Sequence, residues 1–405
     1  MKFVKKILLV LLIVVVAAQI PFIYRRYQIG KLAEKINQLQ DGGINLPNSD
    51  FKEYKGIIHA HTSLGGHSTG SFEELISAAN ANGLDFVLMT EHHNAMFDSA
   101  ALTLNGFYGK TLFVGGNELD TADGDRFLLI PGSGDAAAAK TVGTAAFLEK
   151  TRAENKLALV TYPERFKSWD SNFDGIEVFS LHTNAKQMNP LTALGDLIWS
   201  YPAYPELTLA SHFKRPDANL RKFDEIASQR KISLFAGTDA HSNIGFHLFG
   251  DEAGNKLINI KLDPYETILR LARQHVLIEN DKPLTRESLI EALRAGRAFI
   301  GFDVLGDTTG FSFYAENVQE KRAMGDEIPG SSGWKLVAAA PQFGHFAFFR
   351  NGEKFFDTRS DSVRYKDHAV DAREPGAYRV EVYRNDLGAP FDKMPWIISN
   401  PIYVR

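Results

Sequence analysis

Short apolar runs alternate with helical patterns between about residue 54 and residue 300. The runs that predict buried strands are residues 56–58, 86–89, 112–114 and 234–236, and a weaker run covers residues 207–210. Strands that alternate with helices are typical of βα units, in which the strands form a parallel sheet or barrel. This part of the chain is therefore predicted to be an α/β domain.

Helix-start and helix-stop signals support the same division. Ser71 and Glu74 have the spacing of a capping box, in which each side chain binds the backbone amide of the other residue. Apolar residues then recur at helical spacing until Gly83, just before the strand at residues 86–89. A second helical pattern covers residues 286–295 and ends at Gly296, which is a common helix stop.

After about residue 305 the sequence pattern changes to short segments in which apolar and polar residues alternate. Residues 346–350 and 354–357 flank Asn351-Gly352, a pair that favours a type I′ hairpin turn. Residues 377–383 and 396–404 are further predicted strands. About a hundred residues of short strands are typical of a small immunoglobulin-like sandwich.

The N-terminus has the residue order of a membrane segment. Lys2, Lys5 and Lys6 precede an apolar stretch from residue 7 to residue 24, whose 18 residues lie near the lower limit for a spanning helix. The basic flank predicts an anchor with the globular part outside the cytoplasm. The alternative is a cleaved signal peptide, which would give a secreted or periplasmic protein.

A polar, helix-prone stretch follows the apolar segment. Leu32, Ile36 and Leu39 recur at helical spacing, and Asp41-Gly42-Gly43 is expected to stop the helix. We interpret this stretch as a stalk that rests on its own domain. The predicted division is therefore an anchor or signal segment at residues 1–26, a stalk or linker at 27–50, an α/β domain at 51–300 and a β sandwich at 305–405.

Composition and charge exclude some functions. The 405 residues carry a net charge of -4, which gives no general signal for binding a polyanion, so no stable nucleic-acid partner is predicted. The chain has no cysteine. Disulfides, thiolate metal sites and cysteine nucleophiles are therefore excluded.

Histidines and acids follow several of the predicted strands directly. The residues with this position are His59, His61, His92, Glu118, Asp239 and His241. Ligand groups at the ends of parallel strands meet at one face of the domain, where α/β barrels place their active sites. Imidazole and carboxylate groups bind Zn²⁺, Mn²⁺ and Fe²⁺, so the pattern predicts a hydrolytic centre with more than one divalent ion.

The same residues resemble a known family. The stretch "GIIHAHTSLGGHSTGSFEELISAANANGLDFVLMTEHHN" and the later "GTDAHS" are similar to the PHP (polymerase and histidinol phosphatase) domain of metal-dependent hydrolases. The resemblance covers roughly residues 54–300 and implies a distorted seven-stranded α/β barrel with two or three divalent ions. The downstream "REPGAYRVEVYR" and "PWIISNPIYV" resemble the carbaryl-hydrolase-like branch, which has a C-terminal β domain.

The resemblance also implies a ligand set. The first ion would be held by His59, His61, Glu118 and Asp239. Another ion would be held by His67, His92 and His241, with Glu118 as a bridge, and the expected nucleophile is a water bound to the metals. Tyr162 stands where the family often has a histidine before proline, so a third site is in doubt, although His212 could contribute to it.

Other residues are candidates for supporting roles. His93, Glu177 and His182 are expected to orient ligands or face the substrate. Arg165, Lys214 and Arg215 are candidates for binding a phosphate. The predicted function is a phosphoesterase acting on a small-molecule or nucleotide ester. A hydrolase of carboxyl esters, carbamates or amides and a catalytically weak cell-envelope binding module are the alternatives.

Overall fold

The computed structural model describes residues 2–40, 50–94, 96–250, 256–330, 333–358, 368–372 and 374–405. The described residues form a mixed α/β structure with one large sheet. Its α-helices are α1 Lys2–Gln40, α2 Phe72–Ala81, α3 Ser99–Leu102, α4 Thr144–Ala153, α5 Leu181–Lys186, α6 Pro190–Trp199, α7 Pro205–Ala210, α8 Asp217–Ala227, α9 Tyr265–Ile268 and α10 Arg286–Ala295.

Fourteen strands of the described residues lie before residue 302. They are β1 Phe51–Ala60, β2 Phe86–Met89, β3 Glu91–His92, β4 Gly106–Tyr108, β5 Thr111–Val114, β6 Asn117–Asp120, β7 Arg126–Ile130, β8 Leu157–Val160, β9 Gly175–Ser180, β10 Ser233–Ala240, β11 Gly245–Gly250, β12 Lys256–Lys261, β13 Arg273–Glu279 and β14 Ala298–Gly301.

The order of the paired strands in the α/β part closes on itself. β1 pairs in parallel with both β10 and β2, β10 with β9, and β9 with β8. The antiparallel strands β7 and β6 continue the order, and β6 then pairs in parallel with β3. Because Thr90 alone separates β3 from β2, the order leads back to β1. The carboxyl ends of β1, β3, β6 and β10 consequently lie close together.

The local signals of the sequence are present in this region. Ser71 and Glu74 form both bonds of the capping box, and α2 begins at the next residue. Gly296 ends α10 with a positive φ of 75°, a conformation that glycine adopts without strain. The weak run at residues 207–210 is not a strand but part of α7. Pro205 at the start of α7 explains this, because proline favours the first turn of a helix.

The described N-terminal residues form a single helix, so the apolar segment and the helix-prone stretch after it are continuous. Helix α1 continues through Pro21 and ends at Gln40; the predicted stop at Asp41-Gly42-Gly43 lies outside the described residues. Apolar residues from Phe3 to Val16 are exposed, whereas Ile29 and Ile36 are buried against the domain. One helix among the described residues is thus long and apolar enough to cross a membrane, a test that a signal sequence also passes.

The C-terminal part is mainly β structure. Its strands are β15 Ser312–Glu316, β16 Lys321–Ala323, β17 Glu327–Ile328, β18 Lys335–Ala339, β19 His345–Arg350, β20 Glu353–Asp357, β21 His368–Asp371, β22 Gly376–Tyr383, β23 Pro395–Ser399 and β24 Ile402–Val404. Asn351 and Gly352 join β19 to β20 with φ values of 50° and 85°, so the predicted hairpin is confirmed. The predicted strand at 396–404 is two strands, because Asn400-Pro401 interrupts it.

Backbone and side-chain contacts join the C-terminal part to the α/β part. Strands β14 and β23 pair in an antiparallel ladder. A buried ion pair also joins the two parts. Arg379 on β22 donates two hydrogen bonds of 2.7 Å to Asp224 on α8. Tyr403 on β24 also binds the backbone of Ile232. The two parts therefore share one continuous core.

A buried histidine beside β1 is expected to make the free energy of unfolding depend on pH. His275 donates to Glu53 over 2.6 Å and lies 3.4 Å from Asp303. Burial opposes its protonation, but Asp303 and Glu53 outweigh burial and raise the pKa of His275 to about 9. The resulting stabilisation is complete below pH 6.5, the ordinary histidine value, and is lost as the pH rises to about 9.

We expect the free energy of unfolding to fall by about 3 kcal/mol between pH 6.5 and pH 9. Chemical denaturation of the full chain in detergent at both pH values measures it. The variant H275Q should lack this component, since glutamine does not titrate. Equal pH dependence in H275Q and the unaltered chain would contradict the assignment.

Candidate metal centre

The strand ends bring six of the predicted ligands together. His59 and His61 lie at the end of β1, and Asp239 and His241 lie at the end of β10, which pairs with β1. His92 on β3 is directly opposite Glu118 on β6. Two groups of these residues have donor atoms within 4.8 Å of one another. The groups are His59, His61, Glu118 and Asp239, and His61, His92 and His241.

The backbone at these strand ends is not regularly extended. His59, Tyr162 and Asp239 have positive φ values of 75°, 51° and 47°. The ladders from β1 to β10 and to β2 both shift register between Ile58 and Ala60. The simple argument that alternate residues of a strand share one face is therefore not what brings His59 and His61 together. Such conformations cost roughly 1–3 kcal/mol each and are concentrated at functional sites.

The first group consists of imidazoles around two carboxylates. The Nε2 atoms of His59 and His61 lie 3.5 Å and 3.4 Å from Glu118 Oε2. Both Nε2 atoms also lie 3.3 Å from Asp239 Oδ1. All four residues are buried. This is a compact set of nitrogen and oxygen donors of the kind that binds Zn²⁺, Mn²⁺ or Fe²⁺.

Unsatisfied polar atoms support a metal at this place. His59 Nε2 and Asp239 Oδ1 are both buried without a hydrogen-bond partner among the described residues. A buried polar atom without a partner costs about 1–3 kcal/mol, and such atoms are rare in folded proteins. A divalent cation between them would satisfy both atoms. The residues present therefore fit a metal ion.

The second group lies beside the first one. The ring of His61 stacks against those of His92 and His241, with centroids 4.8 Å and 4.4 Å away. His92 Nε2 lies 3.5 Å from Glu118 Oε2, the same oxygen that faces His59 and His61. Glu118 is consequently next to both groups. This is the position that a bridging carboxylate requires.

His67 approaches from the loop that follows β1. Its ring lies 4.8 Å from the ring of His92, measured between centroids. The loop is held in place because Asn243 donates to the His67 carbonyl over 2.9 Å. Glu91 fixes the start of the loop by accepting from the amide and hydroxyl of Thr62. His67 is thus beside the second group, at the wall of the cavity.

Three of the predicted ligands have protonation states that suit metal binding. Burial and the adjacent His61 lower the pKa of both His92 and His241 to about 4. Burial raises the pKa of Glu118, but His59 outweighs this effect and lowers it to about 2. Neutral imidazole and ionised carboxylate are the forms that bind metals. These three side chains are already in that form at neutral pH.

Glu177 on β9 orients His59. His59 Nδ1 donates to Glu177 over 3.0 Å, which leaves Nε2 facing Glu118 and Asp239. Thr161 donates its hydroxyl to the other oxygen of Glu177. A Cβ atom on Gly237 would lie 1.5 Å from the Glu177 carboxylate, so only glycine fits at the start of "GTDAHS". A carboxylate behind a ligating histidine fixes its tautomer and increases its basicity.

Tyr162 stands at the place where the resemblance implies a third-site ligand. Its hydroxyl donates to Asp239 Oδ2 over 2.7 Å. Burial, together with Asp239 and Glu118, raises its pKa above the usual value, so the phenol keeps its proton. His182, at the start of α5, lies 3.9 Å from the same Asp239 oxygen. This side of Asp239 therefore carries a hydrogen-bond donor and a half-exposed imidazole.

Three other predicted residues do not join the ligand groups. His212 Nε2 lies 3.0 Å from Asp196, which in turn binds Arg25 of α1. Arg215 binds Glu381 on β22 through two hydrogen bonds, so its guanidinium joins the two parts of the chain and lies outside the ligand cluster. His93 lines the cavity near Asp120 and Lys140, and none of its described contacts joins it to a ligand.

A cavity of about 670 Å³ opens over the cluster. Arg165 and Lys214 are exposed and are not among its lining residues. The cations that line it are Arg126 and Lys140, which the sequence had not singled out. Arg126 lies 3.3 Å from Glu118 and also binds Asp120. The signal that could have found it is the β6–β7 hairpin, whose register places Arg126 opposite Asp120, two residues after Glu118.

Comparisons with known proteins give limited similarity. No protein-family model and no curated protein matches the chain. PsfC from Pseudomonas syringae is similar in structure, with a TM-score of 0.34 and 11% identity, over 63% of this chain and 94% of its own. A Bacteroides vulgatus two-domain protein containing a predicted PHP-like metal-dependent phosphoesterase has a TM-score of 0.36 and 13% identity, over 88% and 98%.

Proposed function

We propose that this protein is a metal-dependent hydrolase, and that its substrates are phosphate esters. The observation that carries the proposal is the pair of adjacent ligand groups beneath an open cavity, with Glu118 next to both. His59, His61, Glu118 and Asp239 would hold one divalent ion, and His92 and His241, with His67 beside them, would hold another. When bound, such ions lower the pKa of water and neutralise charge on the attacked ester.

The charges of the cavity support an anionic substrate. Its lining carries four acidic side chains and two basic ones, which are Glu118, Asp120, Asp239, Asp263, Arg126 and Lys140. The lining is net negative by two charges without metal. Two divalent ions would make it net positive by two. Metal loading therefore converts the cavity into a site for a phosphate ester, whereas a neutral ester needs no such change.

The chain's own groups would position the ester and its protons. Arg126 reaches the cavity and offers a planar donor suited to phosphate oxygens. Tyr162 keeps its proton and holds Asp239, which fixes the carboxylate for ligation. His182 is half-exposed at the cavity wall, where it can exchange a proton with the leaving oxygen. Glu177 keeps His59 in its ligating tautomer.

A substrate screen tests the proposal. The full chain in detergent is loaded separately with Mn²⁺, Zn²⁺ and Fe²⁺ and assayed against phosphate monoesters, phosphodiesters and carboxyl esters. We expect hydrolysis of phosphate esters that a chelator abolishes and metal restores. Chelator-resistant hydrolysis, or hydrolysis of carboxyl esters alone, would contradict the proposed phosphoesterase.

The variant R126M should distinguish the substrate classes. Losing a charged hydrogen bond to phosphate is expected to lower kcat/KM for a phosphate ester by about 10- to 100-fold. A neutral carboxyl ester should be affected by less than about twofold if it is a minor substrate. Metal content is measured on the same sample, because Arg126 also contacts Glu118. R165M is the matched control, and an equal loss in both variants would refute the role of Arg126.

We also propose that the α/β part is a distorted barrel, that the C-terminal part is a β sandwich, and that the protein is held at a membrane. The closed strand order is consistent with the distorted seven-stranded barrel, and the C-terminal strands with an immunoglobulin-like sandwich. We propose that α1 remains as a membrane anchor, with the cavity outside the cytoplasm. Its contacts with the domain from Gln19 onward support a helix that is part of the folded protein.

A further inference from the structure

Helix α6 carries an exposed apolar stripe. Leu191, Leu194 and Ile198 are 72%, 56% and 59% exposed. They recur at the spacing of one helix face. Asp196, on the opposite side, and Gly195, at the edge of the stripe, are buried. A surface helix normally buries its apolar face and exposes its polar one. Helix α6 instead exposes an apolar stripe and buries the polar Asp196.

The buried side of α6 rests on α1. Trp199 Nε1 donates to Gln19 over 2.9 Å, and Arg25 donates to both oxygens of Asp196. Phe22 lies so close to Gly195 that a Cβ atom there would be 2.2 Å from its ring. These contacts order the two helices roughly antiparallel. Ile198, near Trp199, is consequently closer to the N-terminal, apolar end of α1 than Leu191 is.

The length of α1 places these contacts at a bilayer boundary. Residues 7–24 of a helix span about 27 Å, slightly less than the roughly 30 Å of a hydrocarbon core. If α1 spans, Gln19 and Phe22 must lie in or at the edge of the hydrocarbon. The part of α6 that contacts them lies at the same depth. Trp199 of α6 and Tyr24 and Tyr27 of α1 lie within two helical turns of these contacts. Tryptophan and tyrosine are enriched at membrane interfaces.

We propose that α6 is a second membrane contact, whose Leu191, Leu194 and Ile198 face enters the interface of the bilayer that α1 spans. The inference rests on the proposed anchor. A second copy of the chain is a poorer occupant, because three side chains offer well under the roughly 800 Å² per partner of a stable interface. If α1 spans the bilayer, lipid in contrast surrounds the adjacent exposed residues of that helix.

The contact would fix the cavity relative to the membrane. Helix α5 lines the cavity with Leu181, His182 and Ala185, and only residues 187–189 separate α5 from α6. A single spanning helix leaves the domain free to tilt, whereas a second contact restricts the tilt. The cavity wall is then held at a constant height above the lipid.

The chain has no cysteine, so single-cysteine variants can be labelled selectively. The full chain carrying L194C, V10C or V318C is labelled with a polarity-sensitive fluorophore. It is then reconstituted into vesicles of phosphatidylcholine and phosphatidylglycerol. Val10 lies in the apolar part of α1, and Val318 is a fully exposed apolar residue in the C-terminal part. Quenching by a nitroxide-bearing lipid is compared with quenching by aqueous iodide, and circular dichroism checks folding.

We expect V10C and L194C to show a lipid-to-iodide quenching ratio about threefold or more above that of V318C. A low ratio at both V10C and L194C would show that the anchor itself fails. A high ratio at V10C with a V318C-like ratio at L194C would overturn the α6 contact and leave the anchor intact. Protection of L194C from both quenchers would mean that protein covers the stripe, and would overturn the inference as well.

Discussion

Replacing Asp239 with asparagine should reduce hydrolysis by roughly a thousandfold, which corresponds to about 4 kcal/mol. Asp239 Oδ1 lies 3.3 Å from the Nε2 atoms of both His59 and His61 and has no hydrogen-bond partner among the described residues. The amide has nearly the same shape but no charge with which to hold a divalent ion. Activity, metal content and circular dichroism measured on one preparation test this expectation.

The matched control is D263N. Asp263 lines the same cavity, but its oxygens accept from the backbone amides of Asn243 and Ile244, and an asparagine oxygen can still accept one of these bonds. We expect D263N to keep activity within about tenfold, since removing this charge takes away no ligand. Equal activity in D239N and the unaltered chain would refute the ligand assignment.

Glu118→Gln is expected to remove more than one metal ion per chain. Its Oε2 lies within 3.5 Å of Nε2 atoms from both ligand groups, those of His59 and His92. Loss of a bridging charge leaves the remaining ligands of both ions with too little negative charge to hold them. Activity should fall at least as far as in D239N. Elemental analysis of the purified chain after metal loading and removal of excess metal measures the effect.

Two variants calibrate this result. H92N removes a residue of the second group alone and should cost about one ion. D120N changes an acid that lines the cavity and binds Arg126, but lies outside both ligand groups, and should cost none. A loss of one ion in both E118Q and H92N would mean that Glu118 does not bridge.

The sequence predicts those elements whose signals are local. The capping box at Ser71 and the hairpin at Asn351-Gly352 form within a few residues, so their side chains determine them regardless of the remaining fold. The helix at residues 207–210 was missed, because a short apolar run is equally compatible with a strand and with a buried helix turn. The continuity of helix α1 across residues 26 and 27 was not predicted, because the change from apolar to polar residues there marks a change of surroundings and not the end of a helix.

Some residues of the candidate site could likewise be located from the sequence, and others could not. Residues at strand ends, such as His59 and Asp239, follow from the strand pattern, because parallel strands bring their carboxyl ends to one place. Residues that enter from long connections cannot be located in this way. His212 and Arg215 follow α7, and their partners Asp196 and Glu381 are set by tertiary packing that no local pattern encodes. Arg126 was missed because its hairpin contact with Asp120 requires knowledge of the register.

The metal content of the full chain tests the central claim most directly. The protein is purified, stripped with a chelator, loaded in turn with Mn²⁺, Zn²⁺ or Fe²⁺, and freed of excess metal before elemental analysis. Because the described residues provide two adjacent ligand groups, we predict at least two ions per chain with the best metal. Less than one ion per chain with every metal would contradict the proposed hydrolytic centre.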